Sequence, residues 1–444
     1  MKPTIYRIAV TIAAAGLVSS LVACGGGEGG PAPGALTYFQ DVKPIIDAKC
    51  TGCHFEGGIA PMALTGYDDV SANVGFIKVA VETGEMPPWH AADDCNQYFA
   101  ARALDEAQKA TLLDWIDEGA AEGDPANEAP PIEVEVTTLS RVDTTLTMPV
   151  GYVPISEPDK LDDYRCFIVP WPETETKYVT GFRARPGNDA VAHHVIAFLA
   201  PPDQTDLYMG LDAAEDGPGW TCFGGTGGPP LQWVGAWVPG NQGSDLSEGL
   251  GIEVEPGSLI ILQMHYNTAN VLGQEIEPDR TRLDFRLEDQ VAKPARILPW
   301  TNRDWFTGAE PMSIPAGEPD VMHSFSGDPT DFPFTGASRL SIHNVGLHMH
   351  LLGTSGRLSI ERADGSSSCL LQIDDWDFDW QADYVLRQPI TFDRGDALRL
   401  ECHWDNSADN QPFVGGAQQA PSDVGWGDGS SDEMCLGILL VTAE

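Results

Sequence analysis

Basic side chains are scarce in this chain. Its 444 residues include 25 Lys and Arg against 66 Asp and Glu, which gives a formal net charge of −41 at pH 7. A surface of that sign repels phosphate backbones, so a nucleic acid is excluded as a partner. The acidity says little about a substrate, because a strongly acidic surface mainly keeps a protein soluble.

Long apolar runs are also missing beyond the N-terminus. The run from Ile8 to about Val18 follows the basic residues Lys2 and Arg7, and it is too short for a comfortable membrane span. A basic start followed by a short apolar core is typical of an export signal. We therefore expect an exported protein with no membrane-spanning segment.

The apolar run ends in Leu-Val-Ala-Cys at 21–24, which resembles the lipobox of bacterial lipoproteins. This resemblance implies a signal peptide at 1–23 and a lipid on the sulfur of Cys24. The Gly- and Pro-rich stretch at 24–35 would then be a flexible tether. We expect a bacterial membrane to hold the protein by this lipid alone, with the protein facing the periplasm or the cell exterior.

Helical periodicity is absent from about residue 135 onward. Short apolar runs alternate there with turn residues, in a chain that contains 47 Gly and 34 Pro. We interpret six of these runs as strands: 177–186, 191–201, 258–268, 356–363, 397–406 and 435–443. Because the stretch is too long for one sandwich of roughly 100 residues, we expect a mainly β fold with two jelly-roll-like β-sandwich domains, at 135–292 and 293–444.

Cys50, Cys53 and His54 form a C-x-x-C-H motif. In an exported protein this spacing is typical of c-type haem attachment, in which two thioethers hold the porphyrin and the histidine binds the iron. A disulfide or a zinc pair is the alternative for two cysteines so spaced. The amphipathic segments on either side of the motif favour haem.

An apolar stripe at helical spacing leads into the motif, and a later segment has the pattern of a capped helix. That segment opens with Asp105, has Gln108 three residues later, and carries Trp115 on its apolar stripe. A helix that ends in C-x-x-C-H and a C-terminal helix with a buried Trp resemble the small cytochrome c fold. The resemblance implies a small all-α cytochrome c-like haem domain at 36–124, before a Pro-rich linker at 125–134.

Met86 is the expected second iron ligand. It precedes two prolines in Gly-Glu-Met-Pro-Pro-Trp, which resembles the methionine loop of class I cytochromes c. Met62 and His90 are the alternatives. A haem ligated by His54 and Met86 moves electrons and has no open position for a substrate. We therefore predict one covalently bound haem c that passes electrons from a periplasmic donor to the rest of the protein.

Five of the ten histidines lie on aliphatic runs that we interpret as strands: His193 and His194 in 191–201, His265 in 258–268, and His348 and His350 in a further run at 346–353. A single pair could be core histidines bonded to the backbone, but five on converging strands favour a metal site. Residues two apart on a strand share a face, whereas adjacent residues face opposite sides. His193 and His194 can therefore reach one metal only through a bulge or a strand end, and we predict such an irregularity there.

The motifs His-His, Gln-x-His-Tyr-Asn, His-x-His and Asp-Glu-Met-Cys follow one another along the chain. From roughly Ser156 to the C-terminus, this order is similar to that of the copper type II, ascorbate-dependent monooxygenases, which include peptidylglycine α-hydroxylating and dopamine β-monooxygenase. The resemblance implies two copper ions. The first would be held by His193, His194 and His265, and the second by His348, His350 and Met434.

The resemblance also implies an activity. The copper of His348, His350 and Met434 would use O2 to hydroxylate a C–H bond of a small substrate, while the other copper supplies an electron. Ascorbate or another reductant would act beside the haem. Two imidazoles and a thioether suit Cu(I), whereas a thioether is a poor zinc ligand. The alternative for Met434 is that it packs in the core and binds no metal. The rival class of function is an exported protein that carries copper or passes electrons without hydroxylating.

Six cysteines are left after Cys24, Cys50 and Cys53 are assigned. The family resemblance implies two disulfides, Cys166–Cys222 and Cys402–Cys435. Cys95 and Cys369 keep no assigned partner.

Two departures from the family pattern concern the substrate. Gly346 stands where the peptide enzyme has the arginine that binds the substrate carboxylate, and Ile438 stands where it has a tyrosine. A peptidylglycine substrate is therefore not expected. The Trp- and Asp-rich segment Asp374–Tyr384 either lines a cleft or forms a buried aromatic strand.

Overall fold

The computed structural model describes residues 35–56, 60–135, 137–157, 161–239, 241–331, 333–414 and 417–444. The predicted signal peptide and the lipidation site Cys24 lie outside these residues. The chain divides into two compact units: the first runs to Trp89 and resumes at Ala101–Val134, and the second consists of His90–Ala100 and Glu135–Glu444. In the described ranges, no helix has the length and apolar character needed to cross a membrane.

The described elements of the first unit are helical. The helix Glu106–Asp117 starts at the predicted capping box, in which the Asp105 carboxylate accepts from the Gln108 backbone N–H and the Gln108 side chain accepts from the Asp105 backbone N–H. Trp115 of this helix is fully buried beside Tyr38 in the core. The helices are a π-helical turn at Tyr38–Val42, α1 Lys43–Lys49, α2 Tyr67–Ala72, α3 Val74–Thr83, α4 Glu106–Asp117 and a 3-10 turn at Pro125–Asn127.

The second unit is mainly β, and each of the six runs interpreted as strands coincides with one. Its strands are β1 Thr144–Thr147, β2 Asp162–Pro170, β3 Lys177–Arg185, β4 Ala192–Ala200, β5 Trp220–Thr221, β6 Gln232–Trp237, β7 Ser244–Asp245, β8 Leu250–Val254, β9 Leu259–Asn267, β10 Arg282–Glu288, β11 Lys293–Trp300, β12 Val321–Gly327, β13 Arg339–His348, β14 Gly353–Glu361, β15 Ser367–Ile373, β16 Tyr384–Asp393, β17 Ala397–Trp404, β18 Phe413–Val414, β19 Ala417–Gln418 and β20 Leu436–Ala443.

Among the described residues of this unit, two α-helices interrupt the strands, α5 Thr205–Ala214 and α6 Arg303–Thr307, besides 3-10 turns at Pro202–Gln204, Ala269–Val271 and Ala408–Asn410. The strand pattern of the sequence does not predict α5. Tyr208 of α5 is fully buried and packs against Trp220. Its hydroxyl is hydrogen-bonded to the Thr226 hydroxyl, with 3.0 Å between the two oxygens. Tertiary burial of this one aromatic face therefore stabilises a helix that has little sequence signal of its own.

The strands form two layered cores. The first lies between the sheet β5-β2-β9-β4-β6 and the strands β1-β10-β3-β8, with Phe167, Leu262 and Phe285 fully buried between them. The second half combines β11-β20-β13-β16 with the sheet β12-β17-β14-β15, and the buried indole of Trp300 donates across to the Leu398 carbonyl. Parallel pairing of β8 with β11 makes one nine-stranded sheet that runs through both halves. The jelly-roll connectivity stays a prediction.

Three disulfides cross-link the second unit. Cys166–Cys222 and Cys402–Cys435 are the pairs that the family resemblance implies. The third joins Cys95 to Cys369, across 274 positions of sequence.

The segment His90–Ala100 explains the third disulfide, because it lies along the second unit. It bridges strands β15 and β16, where Ala91 pairs with Ile373 and Tyr98 pairs with Leu386. No local pattern in the sequence indicates that a segment placed between two helices of the first unit joins this sheet.

Candidate metal centres

A bulge in β4 brings the adjacent histidines to one side. The pairing of β4 with β9 shifts between Ala192 and His194, so that His193 is the extra residue, and His194 lies opposite His265. The predicted irregularity is therefore confirmed. One ring nitrogen from each of the three histidines falls in a group whose members all lie within 4.8 Å of one another, which is a spacing that one metal ion can bridge.

Burial keeps two of the three rings in this group neutral. Burial lowers the pKa of His193 and of His194 well below the ordinary value, so both rings are uncharged at neutral pH. The Nδ1 atom of His193 is buried and has no hydrogen-bond partner among the described residues. The Nδ1 atoms of His194 and His265 are 3.3 Å apart. Three converging imidazoles, two of them held neutral by burial, fit a copper ion.

Asp162 sets the orientation of His265. The Nε2 atom of His265 donates to the Asp162 Oδ1 at 2.9 Å, so the bare nitrogen of this ring is Nδ1, which faces the other histidines. The ring of Tyr164 stacks on His265 with centroids 4.0 Å apart and an interplanar angle of 11°. Burial raises the pKa of Asp162, but its hydrogen bonds with His265 and Ser430 outweigh burial, and the net pKa is lowered.

The His-x-His pair forms a second group at the end of β13. The Nε2 atoms of His348 and His350 are 3.2 Å apart. Each Nδ1 donates to an oxygen: that of His348 to the Gln381 Oε1 at 2.6 Å, and that of His350 to the Asp432 carbonyl at 3.0 Å. The Gln381 amide nitrogen itself donates to a carbonyl, which identifies Oε1 as the acceptor. Both Nε2 atoms therefore carry free lone pairs that point at each other.

These two rings are also neutral. Burial lowers the pKa of His348 to about 4 and that of His350 to about 3. The two imidazoles can thus serve as ligands at any pH at which the protein is expected to work.

Met434 lies between two anchored residues. The fully buried Glu433 accepts from the His350 backbone N–H at 2.8 Å, and burial raises the pKa of this carboxyl to about 7. On the other side, Cys435 is bonded to Cys402. The backbone of Met434 is therefore fixed next to the His-x-His segment, while the binding of copper by its sulfur stays a prediction.

The segment 374–383 is a loop between β15 and β16, so the alternative of a buried aromatic strand is wrong. Its aspartates favour turns over a strand because they bond to their own backbone, as Asp377 does in accepting from the Asp379 N–H at 2.9 Å. Phe378 of this loop stacks on His193 with centroids 4.7 Å apart, and its ring centroid is 5.9 Å from that of His350.

Phe378 and Gln381 are site residues that the sequence analysis missed. The only sequence signal was the density of aromatic and polar residues in this loop, which did not distinguish a histidine contact from ordinary packing. The ring centroids of His194 and His348 lie 6.2 Å apart. The two predicted ligand sets therefore adjoin each other, and the loop packs against both.

The two departures at the substrate position are neighbours in space. Gly346 of β13 pairs with Ile438 of β20. A Cβ atom at Gly346 would lie 3.3 Å from the carbonyl of Ala382, which belongs to the same loop. This loop leaves little room for a large side chain at 346, which gives a physical reason for the glycine.

The C-x-x-C-H residues follow α1 in the first unit. Cys50 and Cys53 form no disulfide, and burial raises the pKa of the Cys50 thiol to about 12. His54 donates from Nδ1 to the Met62 carbonyl at 3.0 Å, which leaves its Nε2 free. Phe55, Met62 and neighbouring residues line a cavity of about 540 Å³. The unpaired thiols and the oriented imidazole have the chemistry that haem attachment needs, and haem binding stays a prediction.

The candidates for the sixth iron ligand fall in different places. Met86 follows α3, and its backbone N–H donates to the Ala80 carbonyl at 3.0 Å. The Met62 side chain packs against the core of the first unit. His90 belongs to the second unit. Ligation of iron by Met86 stays a prediction.

Comparison with known proteins gives a family match in the C-terminal part of the chain. Residues 312–440 match the family model described as copper type II ascorbate-dependent monooxygenase, C-terminal domain. The matched range contains His348, His350 and Met434. No curated protein matches the chain.

Similar solved structures are distant. The VP2 subviral particle of infectious bursal disease virus is 12% identical, with 71% of this chain and 74% of that chain covered and a TM-score of 0.18. A protein from Parabacteroides distasonis, titled as secreted, is 7% identical, with 68% and 87% covered and a TM-score of 0.14. Scores this low carry no argument about the fold or the function.

Proposed function

We propose that this protein is an exported copper monooxygenase that uses O2 to hydroxylate a C–H bond of a small substrate. The observation that carries the proposal is the pair of Nε2 lone pairs of His348 and His350. They lie 3.2 Å apart within the segment that matches the copper monooxygenase family, and next to a second group of three converging histidines.

His193, His194 and His265 would hold one copper, and His348, His350 and Met434 would hold the other. When bound, the two coppers would supply the electrons and the O2 activation that C–H hydroxylation requires. The protein's own part is to keep the imidazoles neutral and aimed. The Nδ1–H groups of His348 and His350 each donate to an acceptor oxygen. Neither ring can therefore rotate its bare Nε2 away from the copper position without losing a buried hydrogen bond.

Phe378 would shield the two groups of histidines from water in this proposal. Its ring lies against His193 and near His350, so it covers the face that the two groups share. An apolar ring in that place excludes water from the imidazoles, which lowers the local dielectric and protects reactive species from side reactions.

The first unit would deliver electrons. Cys50 and Cys53 would form the thioethers of one haem c, and His54 and Met86 would be its axial ligands. Such a haem supplies one-electron transfer. A periplasmic donor, with ascorbate or another reductant besides, would reduce the protein, which a lipid on Cys24 would hold at the membrane surface.

The substrate is not of the peptidylglycine type in this proposal. Gly346 removes the arginine that would bind a carboxylate, and the loop 374–383 has five Asp and no Lys or Arg. A carboxylate brought to this loop would meet like charges. We therefore expect a small substrate that is held without a carboxylate contact here.

A purified protein with haem attached during expression tests the proposal. We expect about two coppers and one haem per chain, and incorporation of one atom of ¹⁸O2 into a member of a panel of small neutral and amine substrates, with matching O2 uptake. A protein that binds both coppers and passes electrons, but hydroxylates no panel member, would favour the rival function of electron transfer. The glycine at 346 is the observation that keeps this rival open. A protein that binds no copper would overturn both.

A further inference from the structure

Asp162, at the start of β2, contacts groups from both halves of the second unit. Its Oδ1 accepts from His265 Nε2 at 2.9 Å and from Asn267 Nδ2 at 2.8 Å. The same carboxylate accepts from the Ser430 hydroxyl at 2.9 Å and from the Ser430 backbone N–H at 3.0 Å. One carboxylate thus joins a histidine of the first group to the turn that precedes Met434.

The last residue of that turn, Asp432, contacts His350 of the second group. The turn spans residues 428–432 and is closed by the Asp432 N–H, which donates to the Gly429 carbonyl at 2.8 Å. The Asp432 carbonyl then accepts from His350 Nδ1 at 3.0 Å. Bonded contacts therefore run from His265 through Asp162 and Ser430 to Asp432 and His350.

Tyr164 strengthens the same link. Its ring stacks on His265 and its hydroxyl donates to the Asp428 carbonyl at 2.6 Å, at the first residue of the turn. The turn is therefore tied to the environment of His265 at two points, Asp428 and Ser430. A displacement of this turn would move the acceptor on which the orientation of His350 depends.

We propose that Asp162 is a positioning residue for both copper sites: it aims His265 directly, and through Ser430 it fixes the turn that aims His350. The inference rests on the proposed function, because it takes the two groups of histidines to be copper ligands. Outer carboxylates that orient a ligating histidine typically contribute 10- to 100-fold in metal affinity. Here one carboxylate would contribute to two sites.

The test uses the full-length protein with Asp162→Ala and Asp162→Asn. Copper affinity is measured at each site by competition with Cu(I) chelators, and the Cu(II) form is examined by electron paramagnetic resonance. We expect an altered spectrum and about 10- to 100-fold weaker binding at the three-histidine site, together with weaker Cu(I) binding at the His348, His350 and Met434 site. Neither readout requires turnover.

Asp163→Asn is the matched control. Asp163 is the next residue on the same strand, is buried, and accepts from the Tyr152 hydroxyl at 2.7 Å and the Ile155 N–H at 2.8 Å. Its loss should lower the stability and leave the copper spectra unchanged. Equal changes in both copper readouts for Asp163→Asn would show a general structural effect and overturn the inference.

Ser430→Ala separates the effect on His350 from the direct effect of Asp162 on His265. It stays informative if the Asp162 variants fold poorly. It removes the hydroxyl's bonds with Asp162 and Asn267, and it keeps the Ser430 backbone bond to Asp162 and the bond from His265. We expect weaker Cu(I) binding at the site of His348 and His350, with an unchanged spectrum at the other site. Variants of Asp162 or Ser430 that leave this second site unaffected would overturn the inference. A wild type that binds no copper would instead refute the proposed function.

Discussion

Replacing Gln381 by Leu removes the acceptor of the His348 Nδ1 proton. The bond is 2.6 Å long, and the His348 side chain is 9% exposed, so water cannot easily take the place of the amide oxygen. Leu has a similar volume, so the change removes this acceptor together with the amide's own bond to the Phe378 carbonyl. An unsatisfied buried N–H costs about 1–3 kcal/mol.

The same loss frees the His348 ring to rotate or to change its tautomer. We therefore expect the free energy of unfolding of the copper-free protein to fall by about 1–3 kcal/mol. Cu(I) affinity at the site of His348, His350 and Met434 should fall by about 10- to 100-fold. The three-histidine site should keep its copper. Chemical denaturation measures the first quantity, and chelator competition measures the second.

Two further variants control this experiment. Gln381→Glu keeps an acceptor oxygen at the end of the same chain, so we expect it to retain most of the Cu(I) affinity. Gln419→Leu makes the same change at an exposed glutamine whose side-chain amide donates to the Ala417 carbonyl, and should leave both quantities unchanged. If Gln381→Leu binds Cu(I) as tightly as the wild type, the bond to Gln381 does not position His348, and the reasoning fails.

The remaining predictions concern the second copper, the haem and acid stability. Met434→Ala should lower the copper content under mild chelation from about two per chain toward one, because the soft ligand is lost; two coppers and full turnover would make Met434 a core residue. Cys50→Ala with Cys53→Ala should abolish the haem-stained band on a denaturing gel, and a wild type without this band after expression with a cytochrome c maturation system would refute the haem. Between about pH 4 and 6.5 the unfolded copper-free chain binds more protons than the native one at His348 and His350, whose pKa values are about 4 and about 3, so stability should fall as the pH falls, by up to about 1.4 kcal/mol per pH unit for each histidine. Replacing both by Gln should flatten this slope in denaturation measurements, and an unchanged slope would contradict the assignment.

Local patterns in the sequence predicted much of the local structure. The runs around His193, His265 and Cys402 are strands because alternation and turn residues act over a few positions. Adjacency of His193 and His194 was enough to require a bulge, since a regular strand cannot aim both rings one way. The capping box at Asp105 was predictable for the same reason, because its partners are three residues apart.

Contacts between distant segments could not be predicted in this way. Cys95 and Cys369 are 274 positions apart, and their pairing depends on a segment that leaves one unit and lies along the sheet of the other. The loop 374–383 has aromatic residues suited to a strand, yet the turn-forming bonds of its aspartates and its packing against the histidines decided otherwise. Propensity was overridden by tertiary context.

The sequence by itself determined which residues could bind metal, because ligand chemistry belongs to residue types and their local spacing. Only the tertiary structure decided that the ring centroids of His194 and His348 lie 6.2 Å apart. It also decided which residues contact the histidines of the two groups: Gln381, Phe378 and Asp162. These supporting residues lie 28 or more positions from the histidines that they contact. Packing of the two layered cores brings them together, and no periodicity along the chain encodes that packing.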